Sequence, residues 1–192
     1  MSQYYHLGKI PTSPEHRKAL LGEKIEMEEQ AAGLQLTQVQ RRVYDFLLSR
    51  KRYAAGDMEL NKEFKLDLPD ISFCVTADFV LKIGDRSCIV IKCVMSSMES
   101  WERHSIAFCR VVEPYQIPYA VVTDSEHARV LDAIDGKIIA EGMDAIPDKD
   151  EAVRLFKDAT FTPYPAERAE REKRILFAFE AIKCAPNLIK PE

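Results

Sequence analysis

Between Ile71 and Val94 the chain carries two runs dense in Val, Ile, Phe and Cys, Ile71–Ile83 and Arg86–Val94, separated only by Gly84-Asp85. β-Branched and aromatic residues in runs of this length read as strands, and a Gly-Asp pair tolerates the positive φ of a tight turn. The chain must therefore build a sheet around an antiparallel hairpin. Each strand also holds a charge where a buried strand should have none, Asp78 in the first and Lys92 in the second.

An ionised group in a packed sheet is costly unless it is paired or bound to a metal. Asp78 and Lys92 admit two readings. One is a plain ion pair, or a strand end where both side chains reach water. The other is a metal-dependent phosphodiester site, in which carboxylates hold a hard divalent cation and a lysine steadies the nucleophile or the developing negative charge. Register decides whether the two groups can meet, because a one-residue slip turns a side chain to the other face. A plain two-residue Gly84-Asp85 loop sets Asp78 opposite Ile91. A three-residue loop, or a bulge with the same effect, sets it opposite Lys92.

The flanking segments predict a mixed α/β sandwich. Ser13 caps a helix over Pro14–Ala32, and Thr37 caps a second whose Val39, Val43, Phe46 and Leu47 form an apolar stripe. Asn61–Asp67 alternates as an edge strand should. Met98–Val112 reads as a helix that ends at Glu113-Pro114, and Pro118–Thr123 as a buried strand. The β-α-β order makes that strand parallel to Arg86–Val94. Arg129–Ala133 and Lys137–Ala140 flank Asp135-Gly136 as a second hairpin. Beyond Pro147 come two helices, Lys149–Lys157 and about Ala166–Cys184. The "ERAEREKR" half of the last reads as solvated and its Ile175, Leu176, Phe179 and Ile182 as apolar. The expected organisation is a helical extension over 1–35, an α/β core over 36–146 and a helical extension over 147–192.

Helix, Asp-bearing strand, glycine turn, strand ending in x-x-Lys, helix and then "PYAVVTDSEHARVLDAIDGKII" make an order that resembles the N-terminal nuclease domain of type I restriction enzyme R proteins, a branch of the PD-(D/E)xK nucleases. The resemblance spans roughly Leu36–Gly142 and implies a restriction-endonuclease-like fold with a mixed central sheet flanked by helices. It places Asp78 on the family's first acid and Lys92 on the lysine of its Glu-x-Lys triplet, as catalytic residues, with Asp78 a ligand for Mg2+. The triplet's glutamate is Val90 here, and the position of the family's helical glutamine is His104. Valine offers no oxygen to a cation. Glu99 or Glu102 on the following helix would supply a relocated metal ligand, Glu99 first; Asp57, Glu59 and Glu63 precede the first hairpin strand. The expected cofactor is Mg2+ for an active enzyme and none otherwise.

Net charge −4 and a pI near 5.7 exclude a dedicated nucleic-acid coat protein, so contact with duplex DNA must be local. The cluster Arg41, Arg42, Arg50, Lys51 and Arg52 is the patch suited to a phosphate backbone, and a solvated helix end is its plain alternative. The four histidines have no zinc spacing, and there is neither a GxSxG nor a phosphate-binding P-loop motif. Five cysteines, Cys74, Cys88, Cys93, Cys109 and Cys184, show no CxxC and predict reduced thiols in the cytoplasm. The opening MSQYYHLGKIPTSPEHRK lacks an apolar h-region, and no apolar run approaches the roughly 18 residues of a membrane span.

Three functions fit. The first is a restriction-endonuclease-like domain with a degraded metal site, catalytically weak or inactive and associated with DNA. The second is an active Mg2+-dependent DNA endonuclease with the relocated glutamate. The third is a protein-interaction domain that binds other subunits and no nucleic acid.

Overall fold

The computed structural model describes residues 37–95 and 97–184, with side chains through Glu180. The expected helix Pro14–Ala32, and with it the extension over 1–35, lies outside the described residues. Four helices and six strands follow in the order α1 (Gln38–Ser49), β1 (Met58–Leu68), β2 (Ile71–Ile83), β3 (Arg86–Cys93), α2 (Glu99–Val111), β4 (Tyr119–Thr123), β5 (Ala128–Asp132), β6 (Lys137–Glu141), α3 (Lys149–Phe156) and α4 (Ala166–Cys184). The strands form one sheet in sequence order, antiparallel throughout except between β3 and β4. This is an α/β fold with a mixed central sheet flanked by helices, the arrangement of a restriction-endonuclease-like domain.

The β2–β3 turn has two residues, Gly84 at φ 61° and Asp85, since Ile83 pairs with Arg86. A two-residue loop alone would oppose Asp78 and Ile91. Between the Lys82↔Ser87 and Leu81↔Ile89 pairs, however, β3 spends an extra residue, Cys88. That bulge advances the register by one, so Leu81, Val80 and Phe79 face Ile89, Val90 and Ile91, and the next position opposes Asp78 to Lys92. The bulge, not the loop, brings the two charges together.

Alternation then sorts the sheet into two faces. Val80, Val90, Ala120, Val122 and Leu131 share a core with Ile106, Phe108 and Cys109 of α2 and Leu176 of α4. Phe79, Leu81, Ile89, Ile91, Val121 and Val130 point the other way, where Val43, Tyr44 and Leu47 of α1, Tyr53 and Ile146 are also buried. Along β2 the pattern breaks once: Val75 and Ala77 belong to the same core as Val80. Odd and even positions of one strand share a face there, so the alternation breaks between Ala77 and Val80. Opposite the break, Asn61 of β1 sits at φ 49°, between the Leu60↔Phe79 and Lys62↔Ala77 pairs. Beyond it β1 and β2 run on as a two-stranded ribbon, because β3 has ended at Cys93.

The β5–β6 turn is longer than its Asp-Gly dipeptide suggests. Asp132 organises four residues, Ala133–Gly136: its carboxylate accepts from the N–H groups of Ile134 (2.8 Å) and Asp135 (3.0 Å), and its carbonyl from Gly136 (2.8 Å), which lies at φ 72°. Four cysteines among the described side chains are free thiols. Cys88 and Cys109 are buried, whereas Cys74 faces solvent. Burial pushes the Cys88 thiol up to about 11.

The C-terminal helices belong to the same compact unit as the sheet. Asp148 caps α3 by accepting from Glu151 N–H (2.8 Å), and the Phe156 ring meets Tyr119 of β4 edge-on at 5.0 Å. Lys149 joins Asp57 (2.6 Å) and donates to the Lys82 carbonyl. In α4, the half read as solvated contains Glu172, which is only 3% exposed. Its carboxylate receives Arg103 (2.5 Å), Arg110 (3.3 Å) and the Tyr164 hydroxyl (3.0 Å), while Arg110 also donates to the carbonyls of Ala133 and Ile134. A carboxylate on the charged half of α4 thus docks that helix on α2, with Leu176 one turn on in the core.

Removing one partner of a buried ionic network leaves the other charges uncompensated, so Glu172→Ala is expected to lower unfolding stability by about 3 kcal/mol in urea titration. The Asp57–Lys149 contact sets an acid limit. Burial raises the Asp57 pKa, but Lys149 and the Ala54 N–H outweigh it and hold the carboxyl below its ordinary 3.8. A folded value below the unfolded one means that the contribution is present above about pH 4 and lost as pH falls through the depressed value. Thermal midpoints measured from pH 6 down to pH 2 should fall less steeply in Asp57→Asn than in the wild type.

Candidate functional site

Asp78 stands where three elements meet: the β1–β2 ribbon leaves the sheet, β3 stops, and α1 begins. Its side chain is 12% exposed and that of Lys92 13%. Oδ2 accepts from Lys92 Nζ (2.8 Å) and from the backbone N–H of Cys93 (2.8 Å). Oδ1 accepts from Gln40 Nε2 (2.7 Å). Gln40 also donates to Asn61 Oδ1 (2.9 Å), so one amide group bridges the carboxylate and the left-handed asparagine across from it. Three charge-assisted hydrogen bonds to one carboxylate are what allow it to stay buried.

Lys92 is held from the other side by Trp101, its ammonium 5.4 Å from the ring centroid. Trp101 in turn packs edge-on against His104 (5.1 Å) and at a tilt against Phe179 of α4 (5.4 Å). His104 is 2% exposed among Trp101, Phe179 (5.0 Å) and Phe108 (6.3 Å). It touches the pair through Trp101. Cys93, next to Lys92, has its thiol pushed well up by burial and by the Asp78 charge, which disfavours the thiolate.

The acids proposed to replace the missing glutamate lie elsewhere. Cross-strand pairing puts Lys92, Val122, Arg129 and Glu141 in one row over β3, β4, β5 and β6. Arg129 is two strands from Lys92, an offset of about 10 Å. It gathers Glu102, Glu99 (3.2 Å) and Glu141 (3.4 Å). The Glu102 hydrogen bond, working against burial and joined by Glu99, holds the guanidinium above its ordinary range. Ser97 and then Arg129 hold the Glu99 carboxyl below its own. On the β1 side Asp57 is taken by Lys149, Glu59 by Lys62 (2.7 Å) and Lys82 (3.5 Å), and Glu63 is exposed.

Mg2+ requires near-octahedral oxygen ligands at about 2.0–2.1 Å. Near Asp78, Val90 is 3% exposed within the apolar core and offers no oxygen, and both Asp78 oxygens already accept from N–H donors. Among the described residues no group of three or more His, Cys, Asp and Glu comes together in a way that could hold a metal ion. The residues present do not fit the cation.

The basic cluster is partly dispersed. Arg41 and Arg42 are exposed on α1, Arg42 within 3.7 Å of Glu126, and Arg50 is exposed at the helix end. Arg52, at φ 60°, is held by Asp150 (2.7 Å) and Asp148 (3.2 Å). Lys51 is buried, with its ammonium donating to the Asp144 carbonyl (2.7 Å), and so faces away from any phosphate backbone.

Gln40 and Asn61 are the site residues that the strand pattern did not disclose. Gln40 had a readable signal, since it lies three residues before Val43 and seven before Leu47, on the buried stripe of α1. The stripe runs Gln40, Val43, Tyr44, Leu47; Val39 and Phe46 are half-buried. Asn61 carried no signal beyond a turn-prone residue inside a strand.

No curated protein and no solved structure matches the chain. The family model that does match, type I restriction enzyme R protein N terminus (HSDR_N), covers residues 37–147. That span includes α1 with Gln40, the hairpin with Asp78 and Lys92, and the whole sheet, and it is more than half of the 192 residues. The chain belongs to the family of type I restriction enzyme R protein N-terminal domains.

Proposed function

We propose that this domain is a restriction-endonuclease-like module that has lost its cleaving chemistry and serves as a DNA-associated part of a larger assembly in the cytoplasm. One observation carries the reading: the acid that a nuclease would turn toward a metal ion, Asp78, has both oxygens engaged by Gln40, Lys92 and Cys93 N–H, and Val90 stands in the core where a second acid would be. Lys92 is then a structural partner of Asp78 and the pair holds the fork of the sheet. The relocated-glutamate alternative loses support because Glu99 and Glu102 are gathered by Arg129.

DNA contact in this reading is local and electrostatic. Arg41, Arg42 and Arg50 project from one helix of a molecule with net charge −4, while Lys51 and Arg52 are committed to the protein itself. A partner subunit has a separate surface in the β5–β6 hairpin, where Ile134, Ile138 and Ile139 are 43–49% exposed. No helix of the described residues is long and apolar enough to cross a membrane.

In a plasmid-nicking assay with Mg2+ or Mn2+, the wild type is expected to stay at the background shared by Asp78→Ala and Lys92→Ala. Metal-dependent nicking above that background would refute the reading. Both variants should instead lose about 3 kcal/mol of stability, as removal of one member of a buried pair does. Duplex DNA binding should weaken with salt at a log–log slope of about −2 to −3, and Arg41→Ala with Arg42→Ala should make the slope shallower by about one unit per residue.

A further inference from the structure

We infer that the side-chain amide of Gln40 occupies the place of a divalent cation, and that this single group makes the Asp78 site metal-independent. The inference rests on the degraded-site reading and identifies the residue responsible. Oδ2 of Asp78 is committed to Lys92 and Cys93 N–H, so Oδ1 is the edge on which a cation could sit, and Gln40 Nε2 lies 2.7 Å from it.

The same amide nitrogen is 2.9 Å from Asn61 Oδ1. Two oxygen acceptors from facing strands therefore converge on one NH2 group, with its two N–H bonds divided between them. An NH2 carries partial positive charge and directional donors, and a hydrated divalent cation would offer the same oxygens positive charge without the directionality. Asn61 reaches its position through a φ of 49°, a conformation that asparagine adopts more readily than most side chains. It is exposed, which leaves a solvent side from which water could complete a coordination sphere. Gln40 is 5% exposed and anchored on the α1 stripe, so the amide is held in place by the packing of the helix.

Exchanging the amide for a carboxylate reverses the electrostatics. Gln40→Glu would put two carboxylates and the Asn61 carbonyl oxygen around one point, a hard oxygen set that repels itself when empty and suits Mg2+ or Mn2+ when filled. The chain's single tryptophan, Trp101, packs on Lys92 beside Asp78 and makes a local reporter.

The experiment compares full-length wild type, Gln40→Glu and Gln40→Glu/Asn61→Ala by thermal unfolding in EDTA, Mg2+ and Mn2+, and by Trp101-sensitised Tb3+ luminescence. Wild type should show neither a metal-dependent shift nor saturable luminescence. Gln40→Glu should melt lower than wild type in EDTA and recover with metal, gaining about a hundredfold in the folding equilibrium at about 100 times the metal Kd. The added Asn61→Ala should lose most of that recovery. Saturable Mn2+ binding to wild type that Asp78→Asn abolishes would overturn the inference. So would a folded Gln40→Glu indifferent to metal, or one that fails to fold even when purified with Mn2+. Absence of DNA binding in the wild type would remove the proposed function and leave these measurements untouched.

Discussion

The carboxylate of Asp78 is the interaction on which the rest of the sheet depends. Where β3 ends, its last N–H would have no strand partner, and the Asp78 side chain provides the acceptor at Cys93. The same group anchors Lys92 and the N-terminal turn of α1 through Gln40. One side chain therefore closes a strand end, fixes a helix on one face of the sheet and balances a cation on the other. Its desolvation is offset by three donors at 2.7–2.8 Å, and loss of any one of them leaves the others facing an under-satisfied charge.

The second determinant is the bulge at Cys88. It is one residue in β3, yet without it the hairpin would set Asp78 against Ile91 and turn the carboxylate away from Lys92. A matching irregularity lies in β1, where Asn61 takes a left-handed backbone beside the point at which the alternation of β2 breaks. The two distortions serve different ends. The bulge sets which residues face each other across β2 and β3, and the Asn61 kink turns a side-chain oxygen toward the amide that Asp78 also uses.

Much of this was legible from residue types. Dense β-branched runs around Gly84-Asp85 identified the central hairpin, and the helix between β3 and β4 required those strands to be parallel, as they are. The pairing of Asp78 with Lys92 could be framed only as a choice between registers, because hydrophobic periodicity says which residues are inward and not how many a strand spends at a bulge. Gln40 was readable in principle as a polar residue on an apolar stripe. Glu172 was not: nothing in "ERAEREKR" distinguishes the one glutamate that meets Arg103 and Arg110 from its solvated neighbours, since those partners come from a helix some sixty residues earlier. Lys51 was hidden for the same reason, as it finds the Asp144 carbonyl only once α3 and its preceding turn are in place.

The position of the acids on α2 shows how the sheet distributes its charges. Glu99 and Glu102 remain on the helix that follows the lysine strand, and Arg129 remains in the cross-strand row of Lys92. Yet the attraction between them draws the carboxylates toward β5, two strands from the ammonium that a nuclease would need beside them. Each carboxylate is better satisfied there by a guanidinium than it would be near Val90, which offers only apolar surface. Sheet position, not the inventory of charged residues, decides that Asp78 and Lys92 answer to Gln40 and Trp101 and that the glutamates answer to Arg129.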